Sequence, residues 1–541
     1  MHNTEFSVSY HRRELCLLIL TAMFVYCGVS FAQGPAKKTG SAGTSGENQA
    51  SRALEAVRDS PLELREFLLH MPKGADLHVH LSGAVYAETF IRDAAEDNLC
   101  VETATLSFKK PTAMTMNDPA KPVCRDGAVP ASSVFSDQHL YDALVDAFSM
   151  RSFVPSAGVS GHDHFFDTFA KFGGIDKMHV GEWVDEVTAR AAAQNEQYLE
   201  LMQTPKAPKA TTLSQELAKD KDQKWLDDFA KTRKALLQGG IKDDVKAASE
   251  ELNQIEAGRK KAGRCDEANE SPACKVQVRY LYQVLRGLPK AFVFAQTLVG
   301  FETALADKRV VGLNYVMPED GYVSMTDYAT HMKILAFFHS VYPNVHISLH
   351  AGELAPGLVT EDGLCCHIRL AVEEASAERI GHGVDVMYED KPEELLKEMA
   401  KKHVMVEVNL SSNDLILGVS GKDHPFPVYR KYGVPVALST DDEGVSRIDL
   451  TREYLRATQT YGLRYADLKK LVRTGLEHSF LPGDSLWETK DIFTSVVAPC
   501  RKDLPGVVTK SSGCQVFLDA SEKAQQQWEL ERRIAEFELR F

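Results

Sequence analysis

The chain has 541 residues, of which 44% are hydrophobic and 26% charged, and its net charge is −14. This composition is that of an ordinary globular protein and excludes a chain dominated by disorder, collagen-like repeats or many membrane spans. It also disfavours a broad nucleic-acid-binding surface, because phosphate binding needs a basic face. We therefore expect no nucleic-acid partner.

The first 32 residues have the pattern of a secretory signal peptide. The basic segment 11–13 precedes an uncharged run, 15–32, that is rich in Leu, Ile, Val and Phe. The length of this run is borderline for a membrane anchor, but it ends in Ser30 and Ala32, small residues placed as in a cleavage site. We therefore expect a secreted or periplasmic protein with no membrane span after cleavage.

The rest of the chain divides into a leader, a central domain and a C-terminal extension. Residues 33–52 are rich in Gly, Ser, Ala, Lys and Thr, which predicts a flexible leader. Residues 53–500 form the predicted central domain. Residues 501–541 form an extension, and its last part, 520–541, predicts one terminal helix.

Short apolar runs alternate with amphipathic stretches through the central domain. This alternation predicts a parallel sheet, and eight strands favour a (β/α)8 TIM barrel over an open doubly wound sheet. No GxGxxG turn follows the first strand, which disfavours a dinucleotide-binding domain. The predicted strands are Ala75–His80, Gln197–Met202, Val276–Leu285, Val310–Val316, Val345–His350, Arg379–Val384, Val404–Asn409 and Pro435–Thr440.

Two segments interrupt the barrel pattern. Residues 98–137 follow the first strand and are rich in Pro, Met and polar residues. Residues 204–275 follow the second strand and carry many Lys, Asp, Glu and Ala with helical spacing. We interpret both segments as insertions, and the second as a solvated helical hairpin.

Eight cysteines follow the signal peptide, and an even number in an exported chain suggests disulfides. Cys365 and Cys366 are adjacent and could pair with each other, pair elsewhere or stay free. None of the eight stands in a CxxC spacing, which disfavours a cysteine zinc site. The pairs that lie near each other in sequence are Cys100–Cys124, Cys265–Cys274 and Cys500–Cys514.

The first predicted strand ends in two histidines, His78 and His80. Side chains two residues apart on a strand point to the same side, so both imidazoles can face the barrel mouth, where barrel active sites lie, and bind one metal ion. A second His-x-His pattern, His162 and His164, precedes a helical segment and has no strand pattern around it. We interpret that pair as surface or local packing residues.

Three further strand ends carry titratable side chains. The fifth strand leads into His350 and Glu353, the sixth carries His382, and the eighth leads into Asp441 and Asp442. Crowding these groups together is costly unless a cation or a substrate compensates. The strand ends therefore predict one shared site.

The residue types at this site predict a hydrolytic reaction. Three imidazoles and one carboxylate are a typical zinc set with an open position for water, and zinc lowers the pKa of that water. A protonated Glu can deliver a proton to a ring nitrogen, and a second carboxylate can hold a ring N–H or nitrogen. Together these groups suit attack of water on an electron-poor carbon, with an amine as the leaving group.

Four strings, MPKGADLHVHLSGA, SLHAGE, RIGHGVD and LSTDDEG, occur in this order and resemble the adenosine deaminase family. The resemblance spans roughly residues 65–490 without the two insertions. The signal peptide, the cysteine-bearing insertion and the RIGHGVD string make the chain most similar to the secreted branch, the adenosine-deaminase-related growth factors. The resemblance implies zinc-dependent deamination of adenosine, and of 2′-deoxyadenosine, to inosine and ammonia, with one Zn²⁺ per chain.

The resemblance also implies a role for each site residue. Glu353 would protonate purine N1, and His382 would be the base that orients and deprotonates the attacking water. Asp442 would hydrogen-bond purine N7. The implied zinc ligands are His78, His80, His350 and Asp441.

Three positions bear on the substrate. Ser82 stands where the family often has an Asp that contacts the ribose. Met317 aligns with a family Gly whose backbone N–H contacts purine N3. Glu319 matches a Glu of the same family motif and is a secondary substrate-binding candidate, with a surface loop acid as the alternative.

These observations leave three functional hypotheses. The main one is an adenosine deaminase; no compact Arg/Lys cluster suits a phosphate, which favours a purine nucleoside over AMP. The second is a deaminase of adenine, AMP or an N6-substituted adenosine, motivated by Ser82 and Met317. The third is an extracellular growth-factor-like binding protein that retains the barrel. A homodimer is compatible with each of them.

Overall fold

A computed structural model describes residues 45–115 and 118–541. The predicted signal peptide, residues 1–32, and the leader up to residue 44 lie outside the described residues. The strands are β1 Gly74–His80, β2 Cys100–Glu102, β3 Ser107–Lys109, β4 Ala113–Thr115, β5 Asp118–Val123, β6 Ala128–Pro130, β7 Glu196–Gln203, β8 Gln277–Leu285, β9 Val310–Val316, β10 His346–Ala351, β11 Arg379–His382, β12 Met405–Val408, β13 Val436–Leu438, β14 Trp487–Thr489 and β15 Ile492–Val496.

The α-helices lie before, between and after these strands. They are α1 Ser45–Val57, α2 Pro61–His70, α3 Leu81–Ala84, α4 Ala87–Glu96, α5 Gln138–Ala147, α6 Gly161–Lys171, α7 Val180–Ala193, α8 Pro208–Leu217, α9 Phe229–Gln238, α10 Lys242–Ala262, α11 Lys290–Ala306, α12 Tyr322–Val341, α13 His367–Glu373, α14 Pro392–Lys402, α15 Leu410–Leu417, α16 Phe426–Tyr432, α17 Glu443–Ser446, α18 Leu450–Tyr461, α19 Tyr465–Glu477, α20 Ser512–Asp519 and α21 Glu522–Glu538.

Eight parallel strands form one sheet in the order β1-β7-β8-β9-β10-β11-β12-β13. The sheet closes just after β13, where Asp441 N donates to His78 O at 2.9 Å and His80 N donates to Asp441 O at 3.0 Å. The predicted (β/α)8 barrel is thus confirmed, and each barrel strand begins and ends within two residues of its predicted bounds. Closure also brings the carboxyl ends of β1 and β13 together, which positions the site described below.

The segment 204–275 differs from the predicted solvated hairpin. Helix α10 packs against α7 and α11 and lies between β7 and β8 in the chain, so it is the crossover helix of that barrel unit. Val245, Leu252 and Ile255 recur at helical spacing along α10, and their side chains join the buried core. The high charge of this segment belongs to the opposite, exposed face.

The predicted leader ends earlier than residue 52. Residues 45–52 form the first turns of α1, which contacts α2, α19 and α21. Ala50 and Leu54, four residues apart, are fully buried. The prediction of a flexible leader is therefore wrong for residues 45–52. Their composition is typical of a linker, but the apolar stripe that includes Ala50 and Leu54 packs into the core.

The C-terminal extension ends in the predicted helix, α21, and this helix is part of the barrel core. Leu530, Ile534 and Phe537 are buried in the same hydrophobic cluster as β1 and β7. Contacts with β1, β7 and α19 place α21 against the barrel. In the described part of the chain, no helix combines the length and apolar character needed to cross a membrane.

The cysteine-bearing segment 98–137 forms two small antiparallel sheets, β3-β2-β6 and β4-β5, beside the barrel. The structure joins Cys100 to Cys124 and also joins the adjacent Cys365 and Cys366. The remaining pairs are Cys265–Cys274 and Cys500–Cys514. All three pairings between cysteines near in sequence therefore occur in the structure.

Candidate active site

The carboxyl ends of β1, β10, β11 and β13 meet at one side of the barrel, as in other barrels of this class. All the residues assigned there from their strand ends lie together in the structure. They are His78, His80, His350, Glu353, His382, Asp441 and Asp442.

Both histidines of β1 face Asp441. The Nε2 atoms of His78 and His80 each lie 3.4 Å from Asp441 Oδ1. His80 Nε2 is also 3.0 Å from His350 Nε2. His78 Nε2 is buried and has no hydrogen-bond partner. Several nitrogen lone pairs and one carboxylate oxygen therefore point at the same small volume.

Two glycines leave room for these side chains. A Cβ on Gly381 would overlap the His78 ring, and a Cβ on Gly83 would overlap the carboxylate of Asp442. Asp441 and His382 adopt left-handed backbone conformations, with φ of +64° and +69°. Such angles are uncommon for residues with side chains and occur preferentially at functional sites.

The histidine rings are oriented by partners that the sequence analysis missed. His78 Nδ1 donates to Glu407 Oε2 at 2.6 Å, and His350 Nδ1 donates to Asn314 Oδ1 at 2.8 Å. Each bond leaves the Nε2 lone pair free, which is how metal-binding imidazoles are usually held. Glu407 was detectable as the lone charged residue within an apolar strand, β12.

Behind the site, Glu407 continues into a fully buried ionic chain. Arg379 Nε lies 2.6 Å from Glu407 Oε1, and Arg379 also donates to Glu200 Oε2 at 2.6 Å. Breaking such a buried pair by removing one partner is strongly destabilising, because a charge is left unpaired. These buried ion pairs therefore fix the orientation of the His78 ring.

The side chains suit a tetrahedral metal ion. His78, His350, His382 and Asp441 offer ligand atoms that all lie within 4.8 Å of one another, and His80 shares a second such group with Asp441 and Asp442. Imidazole nitrogen and carboxylate oxygen are the donors that zinc prefers. The partnerless buried Nε2 of His78 and the facing Nε2 atoms of His80 and His350 are the contacts that a cation would satisfy.

Three side chains beside the metal-binding cluster have shifted acidities. Burial lowers the pKa of His382 to about 3, so its imidazole is neutral. Burial and the charges of Asp441 and Glu319 raise the pKa of Glu353 well above its usual range. Burial and the neighbouring Asp441 also raise the pKa of Asp442. Such shifts are typical of groups that exchange protons during catalysis.

A cavity of about 410 Å³ opens above these groups, a size typical of small-molecule sites. One side is polar and presents the imidazoles and carboxylates. The other side is apolar and comes from α6, from the end of β9 and from the loop after it. Its lining residues are Phe165, Phe166, Phe169, Ala170, Val316, Met317 and Pro318.

The three substrate candidates occupy different places. Met317 lines the cavity and has a φ of +91°, in the region that favours the glycine of the family motif. Ser82 lies in α3 and is not among the lining residues. Glu319 is buried behind the cavity wall, where it binds backbone N–H groups and His367. It is neither a surface acid nor part of the wall.

The second His-x-His pattern lies within α6 and does not precede the helix; His164 packs against a nearby segment, as interpreted, whereas His162 contacts a residue 158 positions away along the chain. His162 Nε2 lies 3.0 Å from Asp320 Oδ1, and His164 Nε2 contacts the backbone oxygens of Asp146 and Ser149. Neither belongs to the metal-binding cluster. The helix that carries them contributes the apolar wall, which the sequence analysis did not foresee.

A family model described as adenosine deaminase matches residues 182–496, more than half of the chain. Two curated relatives are adenosine deaminases from Clostridium perfringens and Shewanella loihica. The first is 36% identical over 135 residues, 25% of this chain and 37% of the relative. The second is 34% identical over 136 residues, 25% and 38% of the two chains. The matched stretches thus span less than two fifths of each relative.

Among solved structures, the chain is similar to Arabidopsis ADAL complexed with GMP. The identity is 19%, the TM-score is 0.49, and the similarity covers 77% of this chain and 94% of that one.

Proposed function

Because the chain belongs to the adenosine deaminase family, we propose that it hydrolyses adenosine, and 2′-deoxyadenosine, to inosine and ammonia with one zinc ion. One observation carries the proposal. A cluster of imidazoles and a carboxylate lies directly beneath a cavity whose wall includes Glu353, a carboxyl group held toward its protonated form.

We propose His78, His80, His350 and Asp441 as the zinc ligands. His80 Nε2 is close to both His350 Nε2 and Asp441 Oδ1, at 3.0 and 3.4 Å. His382 Nε2 is farther from Asp441, at 3.9 Å, and its Nδ1 lies 2.9 Å from Asn413 Nδ2. A zinc ion bound there supplies Lewis-acid activation of the attacking water.

The proton steps are assigned to His382 and Glu353. The neutral imidazole of His382 accepts a proton from the attacking water and hands it on toward the amine that leaves. The protonated carboxyl of Glu353 donates to a ring nitrogen, so that the ring carbon becomes more electrophilic. His382 Nδ1 and Glu353 Oε1 are 3.6 Å apart, and this short distance supports a base and an acid that serve the same reacting group.

The remaining wall would bind the purine. Asp442 has a buried Oδ1 without a partner, available to a ring nitrogen or its proton. The aromatic side chains of α6 present flat apolar surface to a heteroaromatic ring. One edge of the ring would therefore meet polar groups, and its face would meet apolar ones.

The cavity favours an uncharged substrate. Neither Arg nor Lys is among the residues found to line it in the described part of the chain, and phosphate recognition usually relies on such groups. This supports a nucleoside over AMP. The second candidate, deamination of adenine or an N6-substituted adenosine, is favoured by Met317, whose side chain occupies wall space that the family's glycine leaves open.

The predicted export signal, the insertion with its disulfide and the RIGHGVD string support our further proposal that the chain belongs to the secreted growth-factor branch and is secreted or periplasmic. A growth-factor-like binding role would be an addition to catalysis, with segment 98–137 as the binding surface. A homodimer is part of the same proposal.

A substrate panel tests the choice. The purified protein is incubated with adenosine, 2′-deoxyadenosine, adenine, AMP and N6-methyladenosine, and released amine is measured. We expect the highest kcat/KM for adenosine. A clear preference for AMP or adenine would overturn the substrate, while leaving the reaction class intact.

The variant Glu353→Gln tests the proton donor. The amide keeps the size of the side chain but lacks an acidic proton, so we expect kcat to fall by a factor of about 100 or more with zinc retained. An active Glu353→Gln enzyme would refute this role.

A further inference from the structure

The turn after β10 carries Glu353 into the cavity wall, and one buried side chain accepts hydrogen bonds from two consecutive backbone N–H groups of this turn. Gly352 N donates to Glu319 Oε1 at 3.0 Å, and Glu353 N donates to Glu319 Oε2 at 2.8 Å. Glu319 comes from the neighbouring loop after β9. Each of its carboxylate oxygens thus accepts from a consecutive backbone N–H group, which fixes both the position and the tilt of the turn.

Two further groups hold Glu319 in turn. His367 Nδ1 donates to Glu319 Oε1 at 2.6 Å, and the His367 ring is stacked on Tyr328 at 3.6 Å. Arg286 lies 3.8 Å from Glu319 Oε2 and donates to His350 O at 2.8 Å. The same small network therefore contacts the strand that bears a proposed zinc ligand and the turn that bears the proposed acid.

The network is suited to precise placement. Glu319 is 1% exposed. Burial acts to raise the pKa of Glu319. Arg286 and His367 outweigh this effect and lower the pKa to about 2, so the carboxylate is charged. Charge-assisted hydrogen bonds to backbone N–H groups are among the stronger kinds. Gly352 has a φ of +77°, and a Cβ there would overlap Asp385, so the turn has little freedom to move elsewhere.

We propose that Glu319, held by His367, is the positioning residue for Glu353 and thereby sets the rate of proton delivery. Glu319 does not line the cavity, so it acts through the turn and not on the substrate. This inference rests on the proposed function, since it assumes that Glu353 is the acid. It replaces the substrate-binding role that the motif suggested for Glu319.

The variant Glu319→Gln tests the proposal in the full-length protein. The amide of Gln has one accepting oxygen, so one of the two backbone N–H groups loses its acceptor. Misplacing a catalytic group by about 1 Å can cost about a hundredfold in rate. We therefore expect kcat for adenosine to fall by about tenfold to a hundredfold, with KM changed by less than about threefold and zinc content unchanged. An unchanged kcat, or a loss explained by lost zinc, would overturn the proposal.

Two further variants separate positioning from folding. His367→Phe keeps a ring that can stack on Tyr328 but removes the N–H donor to Glu319. We expect kcat to fall in this variant too, by a smaller factor than in Glu319→Gln. If Glu319→Gln does not fold, His367→Phe tests the positioning role instead. The matched control is Glu531→Gln. Glu531 is a buried carboxylate that accepts hydrogen bonds from Arg473 at 2.7 Å. It is not a lining residue of the cavity, so Glu531→Gln should leave kcat unchanged.

Hydrogen exchange distinguishes failure of this inference from failure of the proposed function. We expect the amides of Gly352 and Glu353 to be protected in the wild-type protein and to exchange faster in Glu319→Gln, whether or not adenosine is a substrate. Unaltered exchange in a folded Glu319→Gln variant would contradict the positioning role by itself.

Discussion

The two His-x-His patterns in this chain occupy different structural environments. His78 and His80 lie on a strand, and both Nε2 atoms come within 3.4 Å of the same Asp441 oxygen. His162 and His164 lie on α6, where residues two apart do not share a face. One contacts Asp320, and the other contacts backbone oxygens of the preceding helix region. The same three-residue pattern thus contributes two nitrogens to the proposed metal site in one place and ordinary packing in the other.

The difference lies in the period of the secondary structure and in the place where the element ends. A strand repeats every two residues, and the carboxyl end of a barrel strand opens into the site. A helix turns by more than half a revolution over the same spacing. A motif of metal-binding residues therefore predicts a site only together with the element that carries it.

Replacing one histidine of each pair gives the largest contrast. In His78→Ala the metal-binding cluster loses a nitrogen and Glu407 loses one of its buried partners, so we expect loss of zinc and of measurable deamination. In the matched variant His164→Ala, zinc content should be unchanged. Metal analysis of the two purified variants, followed by an activity assay, checks the contrast. Equal zinc in both would contradict it.

Variants of His80 and His382 sharpen the comparison. We expect His80→Ala to lose zinc, and His382→Ala to retain zinc while losing at least about a hundredfold in kcat, because a general base is worth about that factor or more. The same metal analysis measures both. The reverse pattern would make His382 the ligand and move the base role to His80.

Replacing Glu407, which orients the His78 ring, should have a smaller effect on zinc binding. Glu407→Gln removes the negative charge that orients His78, and loss of such a partner weakens metal binding by about 10-fold to 100-fold. Competition with a zinc-binding dye measures this affinity. Zinc affinity equal to that of the wild-type protein would show that Glu407 serves only its pair with Arg379.

Replacing His162, one of the two histidines on α6, should have the smallest effect. His162→Ala removes the 3.0 Å contact with Asp320, a partly exposed pair whose loss should cost about 1 kcal/mol or less in unfolding free energy. Denaturant unfolding measures the change, and zinc content should stay at the wild-type level. Loss of zinc in this variant would show that the helix pair does contribute to the metal site.

The fold was largely predictable because its signals are local. Runs of β-branched and apolar residues, such as Val310–Val316, mark strands without reference to the rest of the chain. The failures concern elements whose role depends on distant partners. The first turns of α1 and the apolar face of α10 look like solvated segments until the surfaces that they cover are known.

The site divides in the same way. The groups at strand ends could be predicted, because barrel topology alone brings them together. Asn314 and Glu407 act only through contacts with residues 36 and 329 positions away along the chain. The apolar wall from α6 lies in a segment with no strand pattern, and Glu319 looks like a binding residue until its backbone partners are seen. Residues that support others leave little sequence signal beyond a lone charge such as Glu407 in an apolar strand, whereas residues that act at a strand end are visible in the sequence.

The most direct test of the account is the ultraviolet absorbance of adenosine mixed with the purified protein, with and without a zinc chelator. We expect a shift toward the inosine spectrum that stops when the chelator is added and returns when zinc is restored. No shift from a protein that carries zinc would contradict adenosine as the substrate. A shift that persists in a zinc-free protein would contradict the metal-dependent mechanism itself.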